Sequence, residues 1–240
     1  MAGTDFPIQS GNVITDFLSK HHPFNFLNYY PLVPGIWGHG LIEKYWLNDL
    51  TASLINIRNP KDPDVFWICR MLEDLMAKAL RRFNAHFTPR NTTWTNFYSG
   101  SCRWCLNRET VRFVVDYYHS RESRKLRNYL RFCANSDEIF FQTSILNSKH
   151  KEQCFGFEEL EAREIFENKR PPMADEKRVN LTYVDWSEER EDPAILVESD
   201  FQRLKDSGKF FAMKFMDGKS FELVDRIQRE FLEAGPVEGC

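Results

Sequence analysis

Apolar positions keep a helical period over most of this chain and alternate strictly in only a few places. In NVITDFLSK (12–20), Val13, Phe17 and Leu18 share one face of a short amphipathic helix that Asn12 can cap. His21-His22-Pro23 ends it, because proline disfavours helical geometry in the residue before it. A longer helix is predicted over 63–83, where Val65, Ile68, Cys69, Leu72, Leu75, Met76 and Ala79 fall on one face. Further helices are predicted over 108–119, 122–132, 136–146, 198–207 and 219–233. Extended structure is expected for FNFLNYY (24–30), for 92–106 around a turn at Gly100, and for VNLTYVDW (179–186). The last of these alternates Val179, Leu181 and Tyr183 with Asn180 and Thr182, and a short apolar run, FFAMKF (210–215), follows. Residues 31–63, rich in Pro, Gly and Trp, read as irregular, and the charged stretch 150–178, broken by Pro171-Pro172, reads as flexible. Strands alternating with helices point to an α/β class and one domain over 1–240, with few strands for a chain of this length.

Composition narrows the class of partner. A net charge of -3 argues against nucleic acid, whose phosphates require a basic surplus. The 21 Phe residues have no polar group, so most must lie in a core, which 240 residues can readily bury. No apolar run approaches the ~20 residues that span a bilayer, and MAGTDFPIQS lacks the pattern of a signal peptide. Taken literally, the chain is expected in the cytoplasm. Cys69, Cys102, Cys105, Cys133, Cys154 and Cys240 are scattered and read as free thiols. Cys102-x-x-Cys105 lacks a second pair at ligand spacing, so zinc is not expected. His21-His22 and the basic stretch Arg121 to Arg131 read as a helix end and a solvated helix face.

Four segments then occur in a fixed order. Gly3-Thr4-Asp5-Phe6-Pro7-Ile8-Gln9-Ser10 is a turn, and Ser99-Gly100-Ser101-Cys102-Arg103-Trp104-Cys105-Leu106-Asn107-Arg108-Glu109 leads into a helix. Ser136-Asp137-Glu138-Ile139-Phe140-Phe141-Gln142-Thr143 starts another helix, and Phe211-Ala212-Met213-Lys214-Phe215 closes the set. Together they resemble the core-2/I-branching β-1,6-N-acetylglucosaminyltransferases, a family that includes the peptide O-xylosyltransferases. The resemblance implies a GT-A-like α/β domain. In that family the opening turn follows a Rossmann-like half that supplies most of the nucleotide site. Here it stands at residue 3, so the chain is expected to match the C-terminal two-thirds of the domain, with the first Rossmann-like strands absent. Relatives in eukaryotes are anchored in the Golgi membrane, whereas bacterial relatives lack the anchor.

The resemblance also implies chemistry. Inverting glycosyl transfer needs a general base for the acceptor hydroxyl and positive charge for the departing diphosphate. A partly desolvated carboxylate suits the first task. Glu138 matches the family's base; the competing reading makes it part of a capping box begun by Asn135. Lys214 matches the lysine that contacts the donor diphosphate; the competing reading is an outward residue of an edge strand. The family's second basic residue falls at Thr182, with Arg178 near enough to replace it. Asp5 is expected where donor and acceptor meet, or else bonded to its own turn. Ser99, Gly100 and Trp104 are candidates for an acceptor platform, since aromatic faces suit sugar rings and glycine permits close approach. Trp186 and Glu43 are further candidates for acceptor contacts. Asp62-Pro63-Asp64 has metal-motif spelling but reads as a turn, so no metal or other cofactor is expected, only a UDP-sugar co-substrate. The expected function is transfer of GlcNAc from UDP-GlcNAc, or xylose from UDP-xylose, to a glycan or glycopeptide hydroxyl. The alternative is a non-catalytic carbohydrate-binding fragment that lacks the donor site.

Overall fold

The computed structural model describes residues 4–33, 39–46, 71, 75–76, 78–80, 82–84, 86, 90, 96–157, 180–187, 190 and 193–232. In chain order the elements are β1 (Phe6–Pro7), α1 (Gly11–Lys20), β2 (Tyr30–Pro31), α2 (Gly40–Glu43), β3 (Tyr98–Ser99), α3 (Arg108–His119), α4 (Ser123–Leu130), α5 (Ser136–Leu146), β4 (Thr182–Val184), α6 (Phe201–Asp206), β5 (Phe211–Met213) and α7 (Phe221–Ile227). Short 3-10 turns stand at Lys149–Gln153 and Glu198–Asp200, and Gln228–Leu232 continues α7 as π-helix. The architecture is mixed α/β.

The sheet orders β1-β5-β4, with β5 in the middle. Phe6 pairs with Ala212 antiparallel, and Thr182, Tyr183 and Val184 pair in parallel with Phe211, Ala212 and Met213. Parallel neighbours need a crossover, and α6 supplies it. Ile8, Leu196, Phe201, Leu204, Ala212, Leu223 and Ile227 close over this sheet into one core. A second core gathers Tyr30, Leu32, Ile42, Phe97, Leu126, Leu130 and Ile139. A third joins Leu27, Tyr29, Val114, Ile145, Leu146 and Cys154. Helix α5 therefore packs on both of the last two, with Ile139 and Ile145 fully buried.

The predicted helices over 108–119 and 136–146 form with those bounds. Asn107 caps α3 by accepting from the Thr110 N–H at 2.8 Å. Helix α1 starts one residue before the predicted range, and its cap is Ser10, which accepts from Val13, in place of Asn12. The expected strand 24–30 is mostly not a strand. Asn25 and Phe26 make single bridges to Cys154 and Cys105, and regular pairing begins only at Tyr30. The 3-10 turn Lys149–Gln153 runs directly into Cys154, so that bridge cannot extend on its N-terminal side. The range 179–186 contracts to β4, 92–106 to β3 among its described residues, and 31–63, expected irregular, holds β2 and α2. Of the helix predicted over 63–83, the described residues are helical, while Val65, Ile68, Cys69 and Leu72 lie outside them. Residues 150–157 belong to a defined turn and bridge, with His150 buried; the rest of 150–178 lies outside the described residues, as does Asp62-Pro63-Asp64. The four described cysteines are free thiols. Among the described residues no helix is long and apolar enough to cross a membrane.

One charged cluster pins the sheet to α6. Asp185 and Asp200 have side chains only 6% and 5% exposed, and Arg190 bridges them with contacts of 2.8 Å to each. Its Nη2 also donates to the Ile195 carbonyl at 2.6 Å, and Arg203 donates to Asp185 at 3.0 Å. Burial alone would raise the Asp185 carboxyl, but hydrogen bonds from Ser187 and the two guanidinium groups hold it below the usual range. A carboxyl lowered in the folded state contributes stability above its unfolded pKa and loses it as pH falls through the folded one. Arg190→Met leaves two buried carboxylates short of their partner. It is expected to lower unfolding free energy at neutral pH by about 3 kcal/mol or more, and the difference from wild type is expected to shrink on acidification, as read by urea denaturation at several pH values.

Candidate active site

The loop after β3 meets the first turn of α5 and is itself held by Asn28 and linked to the Asp5 turn. The segment entering from β3 is held by close approach. A Cβ on Gly100 would lie 2.1 Å from the Asn28 carbonyl oxygen, so no other residue fits this backbone path. The Gly100 N–H donates to the Glu138 carbonyl at 3.1 Å. The next residue, Ser101, donates its N–H to Asn28 Oδ1 at 2.5 Å and accepts from Gln142 Nε2 at 2.8 Å. Ser99 is wholly buried, with its hydroxyl against the Tyr30 phenol. Loop and helix start are thereby locked together.

Glu138 is half-buried in this corner. Asn135 does not cap α5 with its side chain as the capping-box reading required. Its backbone is left-handed (φ 50°, ψ 44°), its carbonyl accepts from the Glu138 N–H at 3.0 Å, and its amide Nδ2 donates to Glu138 Oε2 at 3.3 Å. A left-handed non-glycine residue is uncommon, though asparagine tolerates it better than most. The turn thus aims an amide at the carboxylate instead of at the helix. Burial raises the Glu138 carboxyl above the usual carboxylate range and Asp137 adds to this, against the Asn135 hydrogen bond and the Arg103 charge.

Arg103 joins this corner to the first turn of the chain. Its Nε lies 3.7 Å from Asp5 Oδ1, and its Nη1 donates to Cys102 Sγ at 2.9 Å. The Asp5 side chain is 4% exposed, so the pair is sheltered from water. One residue earlier, the Thr4 carbonyl accepts from the Phe215 N–H at 2.9 Å, which sets Lys214 beside the Asp5 turn. Lys214 follows the central strand β5, not an edge strand as one reading expected. It is half-buried and has no ion-pair partner among the described residues. Because β4 and β5 run parallel, Lys214 and Trp186 leave the sheet at the same end, and Trp186 is 58% exposed there.

The other sequence candidates stand elsewhere. Trp104 packs on Phe141, ring centroids 4.8 Å apart, in the third core, with its buried indole N–H lacking a partner among the described residues. That placement matches a core tryptophan and not an open platform. Glu43 ends α2, pairs with His39 at 3.0 Å and gives its carbonyl to the Arg90 N–H. Among the described residues no hydrogen bond or ion pair ties it to Glu138. Arg178 lies outside the described residues, and Thr182 pairs with Phe211 in the sheet. Among the described residues no group of three or more His, Cys, Asp or Glu is placed to hold a metal ion. Sequence reasoning missed Arg103, Asn135 as a holder of the carboxylate, Asn28 and Gln142. Arg103 was accessible as the one charged side chain between Gly100 and Leu106; Asn28 carried no sequence signal. No protein-family model and no curated protein matches the chain.

Two outcomes check this geometry. Gly100→Ala must push Asn28 away, and a loss of roughly 1–3 kcal/mol is expected from such overpacking, read by thermal unfolding. Glu138→Gln tests the raised carboxyl. A group raised in the folded state favours folding below its unfolded pKa and opposes it once ionised, so the Gln variant is expected to be more stable than wild type at neutral pH. The advantage should close as pH falls through the carboxylate range, measured by urea denaturation.

Proposed function

We propose that this chain carries the base and part of the donor site of an inverting, UDP-sugar-dependent glycosyltransferase of the core-2/I-branching type, built on a GT-A-like domain. The observation that carries the proposal is Glu138: a half-buried carboxylate of raised proton affinity, fixed by Asn135 and walled by the Ser99–Arg103 loop. A carboxylate raised in this way takes up a proton more readily than an exposed one, which is the property a general base uses.

In the proposed reaction, Glu138 takes the proton of an acceptor hydroxyl as that oxygen attacks the anomeric carbon of the donor. The bond between that carbon and the diphosphate oxygen breaks, and UDP leaves with its electron pair. Lys214 offers a cation for the developing charge, since no described carboxylate neutralises it. Charge stabilisation by side chains in place of a metal is part of the proposal. GlcNAc is the donor sugar expected first, with xylose as the alternative, and a glycan or glycopeptide is the acceptor.

The test is transfer from UDP-GlcNAc and UDP-xylose to a panel of glycan and glycopeptide acceptors, with UDP binding followed separately by calorimetry. Glu138→Gln is expected to lose about 10²-fold or more in turnover, the range of a positioned general base, while keeping UDP affinity. Lys214→Ala is expected to weaken UDP binding. Retained turnover in Glu138→Gln removes Glu138 as the base. A wild-type chain that binds glycans but neither binds UDP nor transfers sugar is a carbohydrate-binding module instead.

A further inference from the structure

The first turn of α5 faces two ways. Glu138 lies against Asn135 and the Ser99–Arg103 loop, while the preceding residue, Asp137, lines a separate groove of about 560 Å³ between α3, α4 and α5. Its volume is in the range of small-ligand sites, about 300–1,000 Å³. The floor and one wall are apolar and aromatic, formed by Val115, Tyr118 and Phe140. Val115 and Tyr118 remain 51% and 46% exposed, so this apolar surface is left open. It forms a second apolar stripe on α3, behind the stripe that carries Val114 into the third core.

Charge along the same groove is arranged for an anion. The Arg127 guanidinium lies 4.9 Å over the Tyr118 ring, and its Nε donates to Ser123 Oγ at 3.1 Å. Phe140 meets the same ring edge-on at 5.6 Å. These contacts fix the Arg127 side chain and leave both Nη groups without a partner among the described residues. Arg131, which caps the C-terminal end of α4 one helical turn after Arg127, lines the groove too. Neither arginine has an ion-pair partner among the described residues, and the one carboxylate that faces them in the groove is Asp137. Two planar cations beside an open aromatic ring suit a ligand with an apolar ring face and a fixed negative group, since guanidinium binds carboxylate and sulfate through paired hydrogen bonds.

We infer that this groove binds an anionic sugar unit, a pyranose bearing a carboxylate or a sulfate, and that the unit belongs to the acceptor. Asp137 and Glu138 are consecutive, with Cα atoms about 3.8 Å apart, and their side chains diverge by roughly 100° around the helix. A glycan with one hydroxyl at Glu138 therefore has a neighbouring sugar within reach of the groove. The acceptor assignment rests on the glycosyltransferase reading; the binding of an acidic sugar does not.

The experiment titrates the whole chain, without UDP-sugar, with glucuronic acid, galactose 6-sulfate and neutral galactose, followed by NMR of the Val115 methyls and the Tyr118 ring. The expected result is saturable binding of an acidic sugar that shifts both residues, with neutral galactose at least about tenfold weaker. The exposed Arg131→Ala variant is expected to weaken the acidic sugar by about tenfold, a typical loss for one charge-assisted contact, with an unchanged circular-dichroism spectrum. Arg127→Lys, which keeps the charge but not the paired geometry, should weaken it as well. The carboxylate and sulfate arms decide which anion is preferred. Absence of binding, equal binding of neutral galactose, or binding indifferent to both variants overturns the inference. Because no donor is present, a failure of Glu138→Gln to abolish transfer bears on the proposed reaction alone.

Discussion

The contact on which the site depends is the approach of Gly100 to Asn28. With no side chain at Gly100, the backbone passes close enough for Asn28 to hold the Ser101 N–H and for Glu138 to accept from the Gly100 N–H. Gln142, fully buried one turn further along α5, secures the same loop from the other side. This clamp brings Arg103 over the Asp5 turn and closes a wall against the Glu138 carboxylate. Removing water from that carboxylate is what raises its proton affinity, so the chemistry proposed for Glu138 follows from a packing constraint at a residue with no chemistry of its own.

A second constraint holds the strands that position Lys214. The Asp185–Arg190–Asp200 cluster fixes the end of β4 against α6, and through the parallel pairing of β4 with β5 it fixes where Lys214 leaves the sheet. With Arg203 also paired to both carboxylates, two guanidinium groups meet two carboxylates, so their burial is tolerated. Lys214 stands outside that balance, with no described carboxylate to meet it. The contrast between a neutralised cluster at the end of β4 and a lysine with no described ion-pair partner at the same end of β5 is what makes Lys214 a candidate for binding an anion.

Helices were legible in the sequence where they carry their own boundary signals. Asn107 announces α3, and α5 keeps its predicted bounds because Ile139, Ile145 and Leu146 must all reach a core. Strands were not legible at their true length. FNFLNYY is apolar because Phe26, Leu27, Tyr29 and Tyr30 are buried, not because it pairs along its length; burial and β pairing leave the same mark on so short an apolar run. Of the candidate residues, Gly100 meets Glu138 directly, Lys214 adjoins the Asp5 turn, and Arg103 is the link between the two places. Trp104 and Glu43 do not join them, because an aromatic ring and a carboxylate are equally at home in a core contact and a local ion pair. Asn28 was invisible for a different reason: its role exists only once residues 28, 100 and 138 meet.

The central claim is that the assembled walls turn an ordinary carboxylate into a base. Its most direct measure is the titration of the Glu138 side-chain carboxyl itself, followed by carbon-13 NMR in the folded chain. The account predicts a midpoint above that of an unperturbed glutamate, moving back toward the ordinary value when the loop is displaced by Gly100→Ala. A midpoint at or below the ordinary value in the wild-type chain would contradict it.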